Sequence, residues 1–380
     1  MNEKGAIQLI YESIREETDV RKLRFPGCFK LGSNILEEFE AQANCFGRKF
    51  VFVGGKRAIA SAKEKLEKSF EGTQSTYEFV ECGKIATPAE IDRVAAIPCV
   101  QEADVLCGVG GGSAMDVVRT VGNRNGQNLV MIPTTIASDA PCSSVSVFYS
   151  EDGTSVVGDQ LFHKSPELVI VDSDIIATAP TRHIAAGMGD GLATYYEAMT
   201  NKLNPHGTEI AKTGMLLAGL ARKIILEDGL DAYEAVKTHV VTPALENVIE
   251  ANCFLSGVGG ANTGCAAAHG IGDFLGQIPG GHEFMHGERV YVGLMVQLIL
   301  EQYPKEELVS FMKFGRKVGL PVCLGDLGVM DVKATAKELA EGLVDDHFMV
   351  NLCCDHSISR VTGAFVQAQN VADALQEVEE

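Results

Sequence analysis

Residues 103–124 read ADVLCGVGGGSAMDVVRTVGNR, an apolar strand pattern that enters a glycine turn and continues into a helical pattern. Glycines at such a turn let a ligand approach the backbone, and the first N–H groups of the helix can face an anion. The stretch therefore predicts a phosphate-binding turn, with a tight turn that binds nothing as the open alternative. It lacks the G-x-G-x-x-G spacing and follows the third predicted strand, so an ordinary Rossmann domain is not the best match.

On either side of this turn, apolar β-branched runs alternate with helical patterns. The predicted strands are 49–53, 76–82, 103–107, 128–135, 144–150 and 167–173. This alternation predicts parallel strands joined by crossover helices, a doubly wound α/β sheet. From about Thr178 onward nearly every segment has helical periodicity. We therefore predict an α/β domain over residues 1–175 and an all-helical domain over residues 176–380, with the ligand in the cleft between them.

Composition narrows the possible functions. The chain has 380 residues, of which 46% are hydrophobic, and a formal net charge of −19. An acidic protein of this kind lacks the basic footprint that nucleic acids need. The eleven cysteines form no CxxC pair, residues 1–18 lack the apolar core of a secretory leader, and no apolar run is long enough to cross a membrane. We expect a cytoplasmic enzyme with a small-molecule substrate and no nucleic-acid or membrane partner.

Five motifs, in order and with matching spacing, resemble the glycerol dehydrogenase family of the iron-containing (group III) alcohol dehydrogenase superfamily. They are GVGGGSAMDVVR at 108–119, IPTTIASDAPCSSVSVFYS at 132–150, APTRHIAAGMGDGLATYYEA at 179–198, HVVTPALENVIEANCFLSGVGGANTGCAAAHG at 239–270 and HGERVYVGLMVQLILE at 286–301. The resemblance implies a dehydroquinate synthase-like architecture, with an N-terminal dinucleotide-binding domain, a C-terminal helical domain and zinc in the cleft. By analogy it also implies a homo-oligomer.

The resemblance assigns the cofactor residues by motif. Around the pyrophosphate it places Gly110, Gly111, Gly112, Ser113 and Asp116, and along the nicotinamide Thr134, Thr135, Ser143, Val145 and Tyr149. Two positions depart from the family, which usually has lysine at Ser113 and serine at Ala137.

A third departure concerns the choice between NAD and NADP. Many NAD-using relatives carry an aspartate at Gly55, which binds the adenosine ribose hydroxyls and repels a 2′-phosphate. Glycine followed by Lys56 and Arg57 leaves space and positive charge for that phosphate, so we predict that NADP(H) is accepted. The alternative is that both basic residues are simply solvated in the first turn of a helix.

Asp190, His269 and His286 are the predicted metal ligands. From the residues alone this set is weak, because the separations match no local metal motif and a core histidine bonded to a carbonyl is the commoner case. The resemblance places all three at the family's ligand positions, and one carboxylate with two imidazoles leaves a position open, which suits catalytic Zn²⁺. Iron enzymes of the superfamily have a further histidine where this chain has Thr194, which favours zinc.

Six other histidines are not expected to bind the metal. Four are expected at the surface or at helix ends, one in a loop and one near the cleft: His183, His206, His239 and His356, then His282, and then His347.

Asp139 matches the aspartate through which glycerol dehydrogenases contact substrate, which implies a preference for vicinal diols. The alternative is an Asx cap of the turn before Pro141. The family's histidine and asparagine, three and four residues after the first metal histidine, are here Gly272 and Asp273, which leaves the substrate class open.

The predicted function is thus hydride transfer between a small polyol and NAD(P). One alternative is an NADP-dependent 2-hydroxycarboxylate or aldehyde reductase. A hydroxycarboxylate enzyme would need a basic residue facing the substrate carboxylate, and none is obvious in the cleft motifs. A non-catalytic metal-binding protein is a third possibility, which the three intact metal positions disfavour.

Overall fold

The computed structural model describes residues 22–205 and 207–379. His206 and the segment 1–18, two parts of the chain interpreted above, lie outside the described residues. Six strands form one parallel sheet in the order β1-β8-β5-β4-β2-β3. The strands of this sheet are β1 (Phe29–Gly32), β2 (Lys49–Gly54), β3 (Thr76–Glu81), β4 (Val105–Gly110), β5 (Asn128–Pro133) and β8 (Leu168–Asp172).

The central strands of the sheet are buried on both faces. All six residues of β4 and all five of β8 are buried, whereas no residue of the edge strands β1 and β3 is. Alternate residues of β4 belong to different cores, since Val105 and Cys107 pack on one side and Leu106 on the other. Covering a parallel sheet on both faces requires near-continuous apolar strands, which explains the pattern in the sequence.

Helices cover the two faces of this sheet. In this half of the chain they are α1 (Phe39–Ala43), α2 (Lys56–Ser69), α3 (Pro88–Ala95), α4 (Pro98–Glu102) and α5 (Gly112–Asn125). Ala62 and Leu66 of α2 join one core, and Val117 and Val121 of α5 join the other. The predicted doubly wound sheet is confirmed.

A separate antiparallel hairpin lies between β5 and β8 in the sequence. It consists of β6 (Val145–Tyr149) and β7 (Val156–Leu161). The predicted strand 144–150 therefore exists but does not join the parallel sheet. Neither β1 nor β7 was predicted. Because β1 precedes the predicted strands, the glycine turn follows the fourth strand of the chain and not the third.

Helices provide almost all of the regular secondary structure after β8. They are α6 (Ser173–Ala177), α7 (Thr181–Thr200), α8 (Lys212–Lys237), α9 (Pro243–Ile249), a π-helical segment (Glu250–Ser256), α10 (Gly257–Thr263), α11 (Ala267–Leu275), α12 (His286–Leu300), α13 (Lys305–Val318), α14 (Val332–Leu343) and α15 (Ile358–Glu379). Short 3₁₀ turns occur at Ile35–Glu38, Asn44–Phe46, Ala140–Cys142, Gly281–Glu283, Gly325–Leu327 and Met349–Asn351. The helical C-terminal part is confirmed, whereas the boundary at 175/176 stays a prediction.

Within the described chain, every helix is too short or too polar to cross a bilayer.

Candidate metal centre and nucleotide cleft

Glycines bring three helices of the C-terminal half unusually close together. A Cβ at Gly287 in α12 would lie 1.9 Å from the carbonyl oxygen of Ala186 in α7. A Cβ at Gly293 in α12 would lie 2.3 Å from the carbonyl oxygen of Ala268 in α11. Because no real Cβ tolerates such distances, α12 can pack against both neighbours only with glycine at these positions. The crossing places a side chain from each helix at one point.

That point is occupied by the three predicted metal ligands. The ligand atoms of Asp190, His269 and His286 all lie within 4.8 Å of one another. Nε2 of His269 is 3.3 Å and Nε2 of His286 is 3.6 Å from Oδ1 of Asp190. Asp190 is 1% exposed. The structure thus brings together three residues that lie far apart in the sequence.

The surroundings of Asp190 fit a bound cation. Its Oδ2 accepts a hydrogen bond from the main-chain N–H of Asp139 at 3.2 Å. Its Oδ1 is buried, and no residue in the described part of the chain forms a hydrogen bond with it. An unpartnered buried carboxylate oxygen is costly unless something else compensates its charge. An N₂O donor set of this kind suits Zn²⁺ with a position left for substrate.

Glu197 is a residue of this centre that the sequence interpretation missed. It lies on α7, two helical turns after Asp190, and is fully buried. Its Oε2 is 2.6 Å from Nδ1 of His269. Its Oε1 accepts the main-chain N–H groups of His269 at 2.9 Å and Ala266 at 2.8 Å. The spacing of seven residues, which places both acids on one helix face, was the available signal.

The first turn of α12 is fixed by its own capping contacts. Glu288 accepts the main-chain N–H of Met285 at 2.7 Å. Arg182 donates to both oxygens of Glu288, at 2.6 and 2.7 Å. This bidentate pair holds the turn that begins with His286. Burial is the main cause that lowers the pKa of His286, to about 4, so its imidazole is neutral and its nitrogens can act as ligands.

Asp139, the predicted substrate residue, lies beside the metal ligands. Its Oδ2 accepts a hydrogen bond from the Ser256 hydroxyl at 3.1 Å, and its main-chain N–H contacts Asp190 as described above. The side chain of Asp139 makes no capping hydrogen bond to the 3₁₀ turn that follows it in the described chain, which disfavours the Asx-cap alternative. Burial, followed by the negative charge of Asp190, raises the pKa of Asp139 to about 7.

The glycine turn has the geometry of an anion site. Gly110 has φ of 148°, a conformation that L side chains rarely adopt. Gly111 is the N-cap of α5, and no side chain caps this helix in the described chain. A Cβ at Gly112 would lie 3.1 Å from the Ser138 hydroxyl. Ser113 follows in the first turn, half-buried. The uncapped helix start is therefore available to a phosphate.

Asp116 and Arg119 form an ion pair inside the fold. Asp116 accepts a hydrogen bond from Nη1 of Arg119 at 2.8 Å, and Arg119 is fully buried. The same guanidinium donates to the carbonyl of Val145 at 2.7 Å and to the carbonyl of Ala140. Asp116 thus joins α5 to the segment that follows Asp139, through an arginine that the sequence interpretation missed. Its expected place beside the pyrophosphate stays a prediction.

The residues expected along the nicotinamide follow β5. The N–H of buried Thr134 donates to Gly110 at 3.0 Å, and the hydroxyl of Thr135 would lie 3.5 Å from a Cβ at Gly111. The other three residues lie on or next to β6: Ser143, Val145 and Tyr149. Burial, followed by the charge of Asp273, raises the pKa of Tyr149.

Gly55 is the N-cap of α2, at the end of β2. A Cβ at this position would meet nothing within 4 Å, so the space that the sequence interpretation required is present. Lys56 and Arg57 are exposed, and neither forms an ion pair with an acidic side chain of the described chain. Acceptance of a 2′-phosphate at this position stays a prediction.

Gly272 is buried against α12. A Cβ there would lie 3.1 Å from the main-chain nitrogen of Val290 in α12, so the helix packing already fills the family's histidine position. Asp273 is half-buried, and burial is the main cause that raises its pKa, to about 6.

Within the described chain, neither His282 nor His347 belongs to the cluster of ligand atoms formed by Asp190, His269 and His286. His282 is exposed in a 3₁₀ turn, and Nδ1 of His347 pairs with Asp346 at 3.5 Å.

Comparisons with known proteins identify the family of this chain. Residues 26–173 match the family described as iron-containing alcohol dehydrogenase. A glycerol dehydrogenase of Escherichia coli O6:H1 is 36% identical, over 84% of this chain and 89% of the relative. A glycolaldehyde reductase of Halobacterium salinarum is 33% identical, over 86% of this chain and 92% of the relative. The crystal structure of glycerol dehydrogenase from Schizosaccharomyces pombe has a TM-score of 0.90 at 27% identity, covering 96% of this chain and 94% of that one.

Sequence similarity over most of both chains and the shared fold lead to one conclusion. This chain belongs to the glycerol dehydrogenase group of the iron-containing alcohol dehydrogenase family and is an oxidoreductase enzyme.

Proposed function

We propose that this enzyme oxidises glycerol or another small vicinal diol, with one Zn²⁺ held by Asp190, His269 and His286 and with NAD or NADP as hydride acceptor. The observation that carries the proposal is the buried Oδ1 of Asp190, which accepts no hydrogen bond from the described chain and which the Nε2 atoms of His269 and His286 face at 3.3 and 3.6 Å. Relatives named glycerol dehydrogenase support the choice of substrate.

The chemistry divides between the bound groups and the protein. A divalent cation held by Asp190, His269 and His286 would supply Lewis acidity toward a substrate hydroxyl, and a bound nicotinamide would supply the hydride acceptor. Glu197 holds His269 with Nε2 turned toward Asp190, and the Arg182–Glu288 pair holds the turn that carries His286. The protein therefore contributes a rigid, largely buried ligand set that needs little rearrangement on binding.

Asp139 is the residue that we propose for recognition of a second hydroxyl. Its main chain contacts Asp190, so its carboxylate lies next to the metal ligands. A carboxylate there can accept a hydrogen bond from the hydroxyl adjacent to the reacting one, which favours vicinal diols over monoalcohols.

The glycine turn and the open space at Gly55 support a dinucleotide across the sheet edge. Since nothing lies within 4 Å of a Cβ at Gly55, a 2′-phosphate has room beside Lys56 and Arg57, and we propose that NADP is accepted as well as NAD. We also propose a domain boundary near 175/176, because the parallel sheet ends with β8 at Asp172. A homo-oligomer and a cytoplasmic location stay predictions from the resemblance and the composition.

A second candidate is reduction of a 2-oxo acid, and Arg289 is the observation that favours it. This residue lies one helical turn after the metal ligand His286, is 8% exposed, and forms no ion pair with a described acidic side chain. A buried, unpaired guanidinium is suited to a substrate carboxylate. A hydroxycarboxylate enzyme needs a basic residue for the substrate carboxylate, and Arg289 is the candidate for that residue.

The test uses protein stripped of metal by a chelator and then reloaded with Zn²⁺. Glycerol and 1,2-propanediol are assayed with NAD and with NADP by absorbance at 340 nm, and pyruvate is assayed in the reverse direction. Diol oxidation that is lost on stripping and restored by Zn²⁺ supports the proposal. A higher kcat/KM for pyruvate supports the second candidate, and zinc-loaded protein that oxidises no diol and reduces no 2-oxo acid contradicts both.

A further inference from the structure

The carboxylate of Asp139 is held by a chain of two buried hydroxyls. The Ser256 hydroxyl contacts Oδ2 of Asp139 at 3.1 Å, and the Thr194 hydroxyl lies 2.8 Å from that of Ser256. Thr194 is 2% exposed and Ser256 is fully buried. By the family resemblance, Thr194 stands where the superfamily's iron enzymes have an extra histidine. In this protein Thr194 instead contacts Asp139 indirectly, through the Ser256 hydroxyl.

The hydrogen bonds that link Thr194, Ser256 and Asp139 have a defined direction of donation. In its ionised form the Asp139 carboxylate only accepts, so the single proton of the Ser256 hydroxyl is donated to Oδ2 of Asp139. Ser256 is then left as an acceptor for Thr194. The other acceptor available to Thr194, the carbonyl of Asp190, is farther away at 3.3 Å. The proton order is therefore Thr194 to Ser256 to Asp139, and hydrogen bonds in such a chain strengthen one another.

The backbone beneath Asp139 is fixed by the same element. Ser256 is the last residue of the π-helical segment, and Gly257 follows it. A Cβ at Gly257 would lie 2.5 Å from the carbonyl oxygen of Asp139, so the two backbones touch. π-helical turns recur at functional sites. Here the end of one contacts Asp139 twice, through the hydroxyl of Ser256 and through the backbone of Gly257.

We propose that Ser256 is a positioning residue for substrate recognition and that Thr194 orients it. Ser256 engages Oδ2 of Asp139 and leaves Oδ1, to which no described residue donates, for the second hydroxyl of a vicinal diol. This inference rests on the proposed function, because it assumes that Asp139 contacts a diol.

The experiment compares the kcat/KM for 1,2-propanediol with that for 1-propanol in the zinc-loaded enzyme, and the measured quantity is their ratio. Removing a hydrogen bond to a charged group should lower this ratio by about tenfold or more in Ser256→Ala, mainly through the KM for the diol. Thr194→Val should lower it in the same direction but by less. Thr194→Ser keeps the hydroxyl and should preserve the ratio.

Thr263→Val is the matched control, since it removes a buried hydroxyl that bonds only a helix carbonyl, that of Gly259 at 3.0 Å. Zinc content and Tm are measured for every variant. A Ser256→Ala enzyme that folds, keeps its zinc and retains the wild-type ratio overturns the proposal, as does an equal loss for both alcohols. If Ser256→Ala does not fold, an unchanged ratio in Thr194→Val overturns it instead. Wild-type enzyme without diol oxidation refutes the proposed function before any variant is compared.

Discussion

Glu197 forms two hydrogen bonds with His269, one with Nδ1 of the ring at 2.6 Å and one with the main-chain N–H at 2.9 Å. A carboxylate at Nδ1 keeps the proton on that nitrogen and leaves the lone pair of Nε2 free. Nε2 faces Asp190 across 3.3 Å. The tautomer and the orientation of this predicted metal ligand are therefore both set by a residue that does not itself face the metal position.

Glu197→Gln should weaken zinc binding by about 10–100-fold, the usual cost of losing a partner that orients a metal ligand. The amide would offer its NH₂ or its weaker oxygen to Nδ1 and would no longer favour the proton there. Zinc affinity is measured by competition with a chromophoric chelator. Glu234→Gln, at an exposed acid paired with Lys237, is the control and should bind zinc as the wild type does. An unchanged zinc affinity in Glu197→Gln would show that the orientation of His269 does not depend on this carboxylate.

The metal centre shows what a sequence can and cannot predict. Resemblance to the family predicted Asp190, His269 and His286, whose ligand atoms the structure brings within 4.8 Å of one another, although their spacing alone was uninformative. Glu197 and Arg119 were missed because their roles depend on partners 72 and 26 residues away, His269 and Val145. Such contacts exist only once helices from distant parts of the chain have packed. The seven-residue spacing of Asp190 and Glu197 indicated a shared helix face, but it did not indicate that Glu197 contacts His269.

The fold was easier to predict from the sequence than the individual side-chain contacts. Long apolar runs such as β4 and β5 were predicted because a buried parallel strand has a distinctive composition. The edge strand β1 was missed because none of its residues is buried, so its pattern is weak. The strand β7 and the π-helical segment were missed for a different reason. Their residues, VVGDQL and EANCFLS, also fit loop and helix patterns, and tertiary contacts decide between these.

Gly55→Asp should shift the cofactor preference toward NAD. The position has open space for the side chain, and a carboxylate there accepts hydrogen bonds from the ribose hydroxyls and repels a 2′-phosphate. We expect the ratio of kcat/KM for NADP over NAD to fall by about tenfold or more, the size of one unfavourable charge contact of about 1.4 kcal/mol. Lys56→Gln with Arg57→Gln should lower the same ratio by removing positive charge. Wild-type enzyme with a hundredfold preference for NAD would refute the idea that Gly55 admits the phosphate.

Gly287→Ala should destabilise the protein and weaken metal binding together. Its Cβ would lie 1.9 Å from the carbonyl oxygen of Ala186, so α12 must move away from α7, which carries Asp190. Overpacking of this kind costs about 1–3 kcal/mol in the free energy of unfolding. Gly363→Ala, in α15 with nothing within 4 Å of the new Cβ, is the matched control and should be neutral or stabilising. Equal stability of the two variants in urea denaturation would contradict the close crossing of α7 and α12.

The buried pair Asp116–Arg119 should show strong coupling between its two side chains. Arg119→Met leaves a buried carboxylate without its partner, a change that costs about 3–5 kcal/mol in the free energy of unfolding. It also removes the donors to the carbonyls of Val145 and Ala140, which join α5 to the segment after Asp139. Asp116→Asn combined with Arg119→Met removes the unpaired charge, so the double variant should be more stable than Arg119→Met alone. A double-mutant cycle by chemical denaturation measures the coupling. If the two single changes add without coupling, the ion pair does not hold these elements together.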